Sequence, residues 1–453
     1  MTSNDSSTII ALSTPRGYGG IAVIRLSGPR ALQITNRLFV SKQKPSPGKA
    51  VFGNIVDNRG IIDAGVVTYN KAPNSYTGED IIEISIHGNP YLSDLVIYAF
   101  KKLGAVSAGP GEFTLRAFLN GKMDLSQAEG VADIIYSSSR AAQTASVGLI
   151  KGTLGKEIVK IKSNLINILS VLELELDFQE DDIDFTPLNN ICQAISIIIA
   201  SIDSLLKTYD FGKIIREGLL CPIIGAPNSG KSSLFNAFLQ EERVIVSSRP
   251  GTTRDYIEET IRVGNHQIRL VDTAGLRDTD DKIEALGVDK TKDLIQNGSV
   301  LLYVIDLSDP PEKISKMTRS LLKKTFFVLN KNDLAGPAQI QKAVSIVGNR
   351  PYFICSALKH NGVHNISTSI ISEIDKLSPP NSTVIITRER HKDALLRTNL
   401  SLKRSIHSIR RGAAPEIITI DLREALEHLD VILGKTENDD ILNNIFNNFC
   451  IGK

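Results

Sequence analysis

Eight residues, Gly225-Ala-Pro-Asn-Ser-Gly-Lys-Ser232, restrict the fold of this chain more than any other stretch. The run before them, Leu219-Leu-Cys-Pro-Ile-Ile224, is short and apolar and reads as a buried strand. The run after them, Ser232-Ser-Leu-Phe-Asn-Ala-Phe-Leu239, reads as a helix with one apolar face. Strand, glycine-rich loop and helix in this order make a cradle for phosphate. Gly225 and Gly230 permit the turns that aim backbone N–H groups at phosphate oxygens. The helix N-terminus adds a partial positive charge.

Further motifs follow in a fixed order, and together they predict a guanine-nucleotide switch. In the loop, Asn228, Ser229, Gly230, Lys231, Ser232 and Ser233 surround the phosphates, with Lys231 at the β/γ-phosphates and Ser232 on Mg²⁺. Gly251, Thr252 and Thr253 stand where a mobile segment reaches the γ-phosphate, and one threonine, taken as Thr253, completes the Mg²⁺ shell. Asp272 ends the apolar run Ile268-Arg-Leu-Val271 and begins Asp272-Thr273-Ala274-Gly275, where Asp272 holds a Mg²⁺-bound water. Asn330-Lys331-Asn332-Asp333 follows the apolar Phe326-Phe-Val-Leu329 and selects the base. The Asp333 carboxylate can accept from guanine N1–H and the exocyclic amine, a donor pair adenine lacks. Ser356-Ala357-Leu358, after Tyr352-Phe-Ile-Cys355, offers backbone N–H to the guanine oxygen.

Leu276 stands where Ras-type switches carry a water-orienting glutamine. Leucine cannot orient water, so another device is needed. Asn228 has an amide oxygen suited to a monovalent cation beside the phosphates. Glu284 can act through a water, although its spacing also fits a solvated helix residue.

A length of 453 residues predicts two to four domains. The net charge of +2 supplies no global basic field, so any RNA contact is local or shared with a partner. No apolar run reads as long enough to span a membrane, and the first residues carry neither signal- nor transit-peptide character. The scattered Cys192, Cys221, Cys355 and Cys450 predict neither a metal site nor a disulfide framework, which points to a reduced, cytoplasmic chain.

Residues 1–120 read as strand-rich, with strands at Thr8–Leu12, Gly20–Leu26, Ala64–Tyr69 and Asp80–His87. Residues 121–215 read as helical, 216–378 as the nucleotide-binding unit, and 379–453 as helical again. Flanking helical segments predict that the nucleotide unit is inserted into one helical domain. Arg390, Arg397, Arg404 and Arg411 recur every seven residues. That stripe is either a solvated helix face or an RNA-phosphate contact.

These residues resemble the MnmE (TrmE) family of tRNA modification GTPases over essentially the whole chain. The marks are Thr77-Gly-Glu-Asp80 with His87-Gly88, Gly111-Glu-Phe-Thr-Leu-Arg-Ala117, Lys122-Met-Asp-Leu-Ser-Gln-Ala-Glu129, Asp177-Phe178 and Cys450-Ile-Gly-Lys453. The resemblance implies a multidomain α/β and α architecture. It comprises an N-terminal α+β dimerisation and folate-binding domain, an all-α helical domain and an inserted Ras-like P-loop GTPase domain. It implies a K⁺-dependent GTPase that works as a homodimer and in a heterotetramer with the FAD protein MnmG (GidA), with no membrane. The pair adds a carboxymethylaminomethyl or aminomethyl group to C5 of the wobble uridine of certain tRNAs. The resemblance places 5-formyl-tetrahydrofolate, or a related one-carbon folate, at Arg25, Glu83, Lys122 and Lys453. It places K⁺ at Asn228, Ser247, Arg249 and Thr252, within the segment Ser247-Ser248-Arg249-Pro250-Gly251-Thr252 that borders the nucleotide. It makes Glu284 the remote base and Cys450 a functional thiol. The rival reading is a ribosome-assembly GTPase, which leaves the long N-terminal segment without a role.

Overall fold

The computed structural model describes residues 7–177, 187–244, 257–272, 298–312, 319–379, 384–435, 442, 445–447 and 449–453. The chain packs into two units. One gathers Met1–Ala132, Leu149–Pro187 and Ser401–Lys453; the other gathers Asp133–Gly148 and Leu188–Leu400.

The first unit is built on seven strands: β1 (Ile9–Leu12), β2 (Gly19–Ser27), β3 (Phe39–Val40), β4 (Ala50–Asp57), β5 (Gly60–Asn70), β6 (Ile81–Gly88) and β7 (Val106–Ser107). Their order is β3-β4-β5-β6-β2-β1-β7, antiparallel throughout except for β1 beside β7. Strict alternation drives it. Ile24 and Leu26 of β2 and Ile82, Ile84 and Ile86 of β6 point into one core, while the residues between them face the other side. Helices Ala31–Leu38 and Pro90–Lys102 cover that core. The second begins at an Asn89 cap, whose side chain accepts from the Tyr91 N–H at 2.8 Å, with Pro90 in its first turn. The four strands expected from sequence are present. Strands β3, β4 and β7 were not foreseen, since β3 and β7 are two residues long and Gly53-Asn54 interrupts the apolar pattern of β4.

Long helices complete this unit. Thr153–Asp177 and Pro415–Leu433 pack together, and Lys162 Nζ meets Asp430 Oδ1 at 2.5 Å between them. The last residues return to the sheet region. Phe446 and Phe449 pack with Leu125 and Ala128, and Ile451 bridges to Pro110.

The second unit holds β8 (Leu219–Gly225), β9 (Arg243–Val244), β10 (Ile257–Val263), β11 (His266–Asp272), β12 (Leu301–Asp306), β13 (Thr325–Asn330) and β14 (Tyr352–Ile354). The order is β14-β13-β12-β8-β11-β10-β9. The five from β14 to β11 are parallel, and β10 and β9 pair antiparallel at one edge. Strand β13 is buried at every position, as a parallel strand covered on both faces must be. Sequence order reverses about β8, so the crevice beyond its carboxyl end is where such a sheet takes a ligand.

Against the sequence reading, one helical stretch, Leu188–Glu217, is by length and composition alone apolar enough to cross a membrane. Its isoleucines explain this. Ile191, Ile195, Ile198 and Ile202 are buried at helical spacing as a core face, while Ile197 adds an exposed apolar side chain to the same window.

Candidate functional site

The described parts of the nucleotide motifs gather at the carboxyl ends of β8, β11, β13 and β14. The loop leaves β8 at Gly225 and enters helix Lys231–Glu241. Asn228 takes a left-handed conformation, φ 62°, with its side chain exposed, which fits an amide oxygen offered outward. Lys231 Nζ donates to the Gly225 and Ala226 carbonyls at 3.2 and 2.8 Å, so its ammonium already sits inside the loop. The Ser229 hydroxyl is buried with no hydrogen-bond partner among the described residues. Ser232 Oγ donates to Asp272 Oδ2 at 2.7 Å. This hydroxyl–carboxylate pair is a hard oxygen donor set that fits Mg²⁺. Ser233 lies exposed at the start of the same helix.

The Asn330–Asp333 loop is tied to the phosphate loop by one side chain. Asn330 Nδ2 donates to the Ser229 carbonyl at 3.1 Å, and Asn330 Oδ1 accepts from the Ala357 N–H at 3.0 Å. A Cβ at position 230 would lie 2.2 Å from that amide nitrogen, so glycine is required there. The Ser356 hydroxyl donates to Asp333 Oδ1 at 2.5 Å and holds the carboxyl below its ordinary range. Asp333 is therefore ionised and oriented as an acceptor. Lys331, at φ 64°, donates to Asp306 Oδ2 at 2.6 Å, and the Asn332 N–H donates to the Cys355 carbonyl. Leu358 is exposed beside this loop. Sequence reasoning missed Asp306 and Cys355. Asp306 ends β12 as Asp272 ends β11, and that parallel was the available signal. Burial, then Glu241, pushes the Cys355 thiol up to about 12, so it acts as an inert neighbour of Asn330.

Ser247, Ser248, Arg249, Pro250, Gly251, Thr252, Thr253, Thr273, Ala274, Gly275 and Glu284 lie outside the described residues.

A second cluster forms on the outward face of the first sheet. Strand register sets Arg25 of β2 directly opposite Glu83 of β6. Arg25 Nε and Nη2 both donate to Glu83 Oε1, at 2.9 and 2.7 Å. Tyr76 and Phe113 each place a ring 5.7 Å from the guanidinium carbon. The C-terminal residues close in from another side. Arg25 Nη1 reaches the Gly452 carbonyl at 3.4 Å, and the Ser13 hydroxyl donates to it at 3.1 Å. The Lys453 carbonyl accepts from the Phe113 N–H at 3.2 Å, and the Cys450 carbonyl from the Gly111 N–H at 3.4 Å. Burial, then the neighbouring Arg25, holds Lys453 below the usual lysine value, while Glu83 and Cys450 oppose that shift. Arg25, Glu83, Lys453 and Cys450 thus share one neighbourhood. Lys122 stands apart, exposed, donating to the Pro73 carbonyl at 3.0 Å on the loop that carries Tyr76.

Two sequence marks prove to be the scaffold of this cluster. Arg116 reaches both Glu79, at 3.2 Å, and Glu112, at 2.9 Å. Ser27 Oγ donates to Glu79 Oε2 at 2.7 Å, and Tyr76 and Thr114 hydroxyls meet at 2.9 Å. This network pins the Tyr76 loop to helix Glu112–Leu119.

The family described as GTP-binding protein TrmE N-terminus matches residues 8–122, and the MnmE helical domain matches residues 125–450. The tRNA modification GTPase MnmE of Aquifex aeolicus is 39% identical over 449 residues, 98% of this chain and 99% of that relative. The chain belongs to the MnmE family of tRNA modification GTPases. The MnmE of Flavobacterium johnsoniae is 38% identical over 470 residues, covering 100% of both. Among solved structures, the G domain of the T. maritima FeoB iron transporter matches 34% of this chain and 97% of its own at 20% identity, with a TM-score of 0.24.

Within this chain, the heptad arginines do not form one uniform free face. Arg404 donates to Asp421 Oδ1 at 3.0 Å and also to Glu424, Arg390 meets the His391 ring at 3.0 Å, and Arg411 lies past the end of helix Glu389–Arg410. All four cysteines are free, and no group of three or more metal-ligating side chains occurs among the described residues.

Proposed function

We propose that this chain hydrolyses GTP with Mg²⁺ and K⁺ and couples the cycle to tRNA modification. With the FAD protein MnmG (GidA), it adds a carboxymethylaminomethyl or aminomethyl group to C5 of the wobble uridine. It acts as a cytoplasmic homodimer, and with MnmG as a heterotetramer. The observation that supports the reading is that one chain holds both an oriented Asp333 carboxylate in the loop tied to the phosphate loop and the Arg25–Glu83–Lys453–Cys450 cluster.

In the pocket, Asp333 accepts from the guanine edge, Lys231 faces the β/γ-phosphates, and Ser232 with Asp272 and Thr253 hold the metal. Bound Mg²⁺ would neutralise charge on the phosphate oxygens. The phosphate and switch segments, Asn228, Ser247, Arg249 and Thr252, hold K⁺, with the exposed Asn228 supplying an amide oxygen from the loop. Glu284 orients the attacking water, the task Leu276 cannot perform.

In the cluster, cationic Arg25 and Lys453 suit the carboxylates and polar ring atoms of a folate, with Lys122 set apart on the Tyr76 loop, and the Tyr76 and Phe113 rings suit its flat apolar body. Cys450 brings a thiol to the same place.

The test is calorimetric titration of the full chain with 5-formyl-tetrahydrofolate beside an Arg25→Ala control. Saturable binding weakened by the substitution is expected; no binding by a folded, GTP-competent chain overturns the one-carbon reading and favours a ribosome-assembly timer. Hydrolysis is expected to be faster in KCl than in NaCl, and Asn228→Ala to abolish the difference. Equal rates in the two salts sink the K⁺ assignment.

A further inference from the structure

Asp133 lies in the last turn of helix Leu125–Tyr136, and its side chain is 9% exposed. Two guanidinium groups close on its Oδ1: Arg388 Nη2 at 2.8 Å and Arg216 Nε at 3.2 Å. Those arginines flank the nucleotide-binding sheet in sequence. Arg216 lies in the last turn of helix Tyr209–Glu217, just before β8 and the phosphate loop. Arg388 stands immediately before helix Glu389–Arg410, beyond the last strand of the sheet and the helix Val363–Lys376 that follows it.

The two flanks also grip each other. Thr208 Oγ1 accepts from the Ile386 N–H at 3.0 Å. Gly212 packs so close that a Cβ there would lie 2.1 Å from the Ile386 carbonyl oxygen. Five residues beyond Asp133, the Ser138 hydroxyl donates to Gln267 Oε1. Gln267 is on β11, the strand that ends at Asp272. One short stretch, residues 133–138, thus holds the segments before and after the sheet and the strand bearing the metal-side carboxylate. None of these residues belongs to a nucleotide motif.

A buried carboxylate held by two guanidinium groups ties both to one point, because losing the carboxylate leaves two cations facing each other in a poorly solvated site. We propose that Asp133 is a positioning residue. Its clamp fixes β8 and β11 against the helical segment, so that a change at the phosphate end of either strand turns the helices instead of being lost in a slack joint. The proposal rests on the guanine-nucleotide reading above.

The experiment uses the full chain with spin labels on ketone-bearing residues placed at the exposed Gln193 and Gln341, both in the second unit. Pulsed distance measurements are taken with GDP and with a non-hydrolysable GTP analogue. The original sequence is expected to give distinct distance distributions for the two nucleotides. Asp133→Asn is expected to give one broad distribution for both, with nucleotide affinities within about threefold of the parent, and Asp133→Glu to restore the difference. A purely structural role would lower the melting temperature without erasing the nucleotide response. A parent that shows no nucleotide-dependent change, or an Asp133→Asn chain as responsive as the parent, overturns the proposal. Should Asp133→Asn fail to fold, Arg388→Lys is judged by the same two criteria. Failure of the parent to bind any guanine nucleotide would instead overturn the reading beneath it.

Discussion

The nucleotide pocket and the Arg25 cluster are assembled in opposite ways. The pocket takes its groups from short contiguous runs, each fixed to the end of a parallel strand, and its contacts are local to those strand ends. The cluster takes single residues from β2, β6, the Tyr76 loop, helix Glu112–Leu119 and the C-terminal segment. A site of the first kind survives wherever its strands survive. A site of the second kind depends on sheet register and on a chain end arriving from over 400 residues away, as in the Ser13–Gly452 bond.

The largest expected effect tests whether the two sites are separable. Lys231→Ala should slow GTP hydrolysis by about 10²–10³-fold through loss of charge stabilisation at the phosphates. Folate binding by calorimetry should be unchanged; if it falls in step, the sites are not independent.

Asp333→Asn should weaken GTP by roughly 10–100-fold, the equivalent of about 1–3 kcal/mol of unmet hydrogen bonding. Xanthosine triphosphate, whose ring accepts where guanine donates, should gain affinity in a competition titration. Retained guanine preference would mean that Asp333 does not read the base.

Arg25→Ala strikes the other site. It leaves Glu83 without its guanidinium, and a cost of about 1–3 kcal/mol in urea stability is expected. Phosphate release from GTP should stay within about twofold of the parent.

Gly452→Ala probes the arrival of the chain end. Position 452 has φ +92°, and a Cβ there would lie 2.3 Å from the Leu12 carbonyl oxygen. Strain of about 1–2 kcal/mol should loosen the C-terminal segment. Faster alkylation of Cys450 would report it; an unchanged rate would show that the segment is held elsewhere.

The smallest effect is a pH dependence. Lys453 lies below its ordinary value of 10.5 through burial and Arg25. Between the lowered value and 10.5 the unfolded chain binds more protons than the folded one, so stability rises with pH across that window and levels off above it. Urea midpoints should show this rise in the parent and a flatter profile in Lys453→Met.

The contrast also explains what could be read in advance. The strands leading to the phosphate and base motifs are apolar runs that announce themselves, and β8, β11, β13 and β14 stand where those runs predict. Arg25 and Glu83 carry no such signal. They became candidates through family resemblance, and nothing in either strand reveals that they face each other. The roles of Tyr76, Phe113 and Gly452 could not be read in advance because they exist only in the fold. The heptad arginines show how little a regular spacing says about partners: Arg404 turns to Asp421 and Glu424 on a neighbouring helix.

By itself the sequence determined that this chain builds a phosphate loop on a parallel sheet and reads guanine. Those tasks need a few residue types at fixed local spacing, and local spacing is what a sequence displays. Tertiary structure alone decided that Arg25 meets Glu83, that the last residues dock beside them, and that Asp133 grips both flanks of the nucleotide sheet. Each of those contacts joins residues far apart in the chain, and their pairing is set by strand register, packing and the desolvation of buried charge.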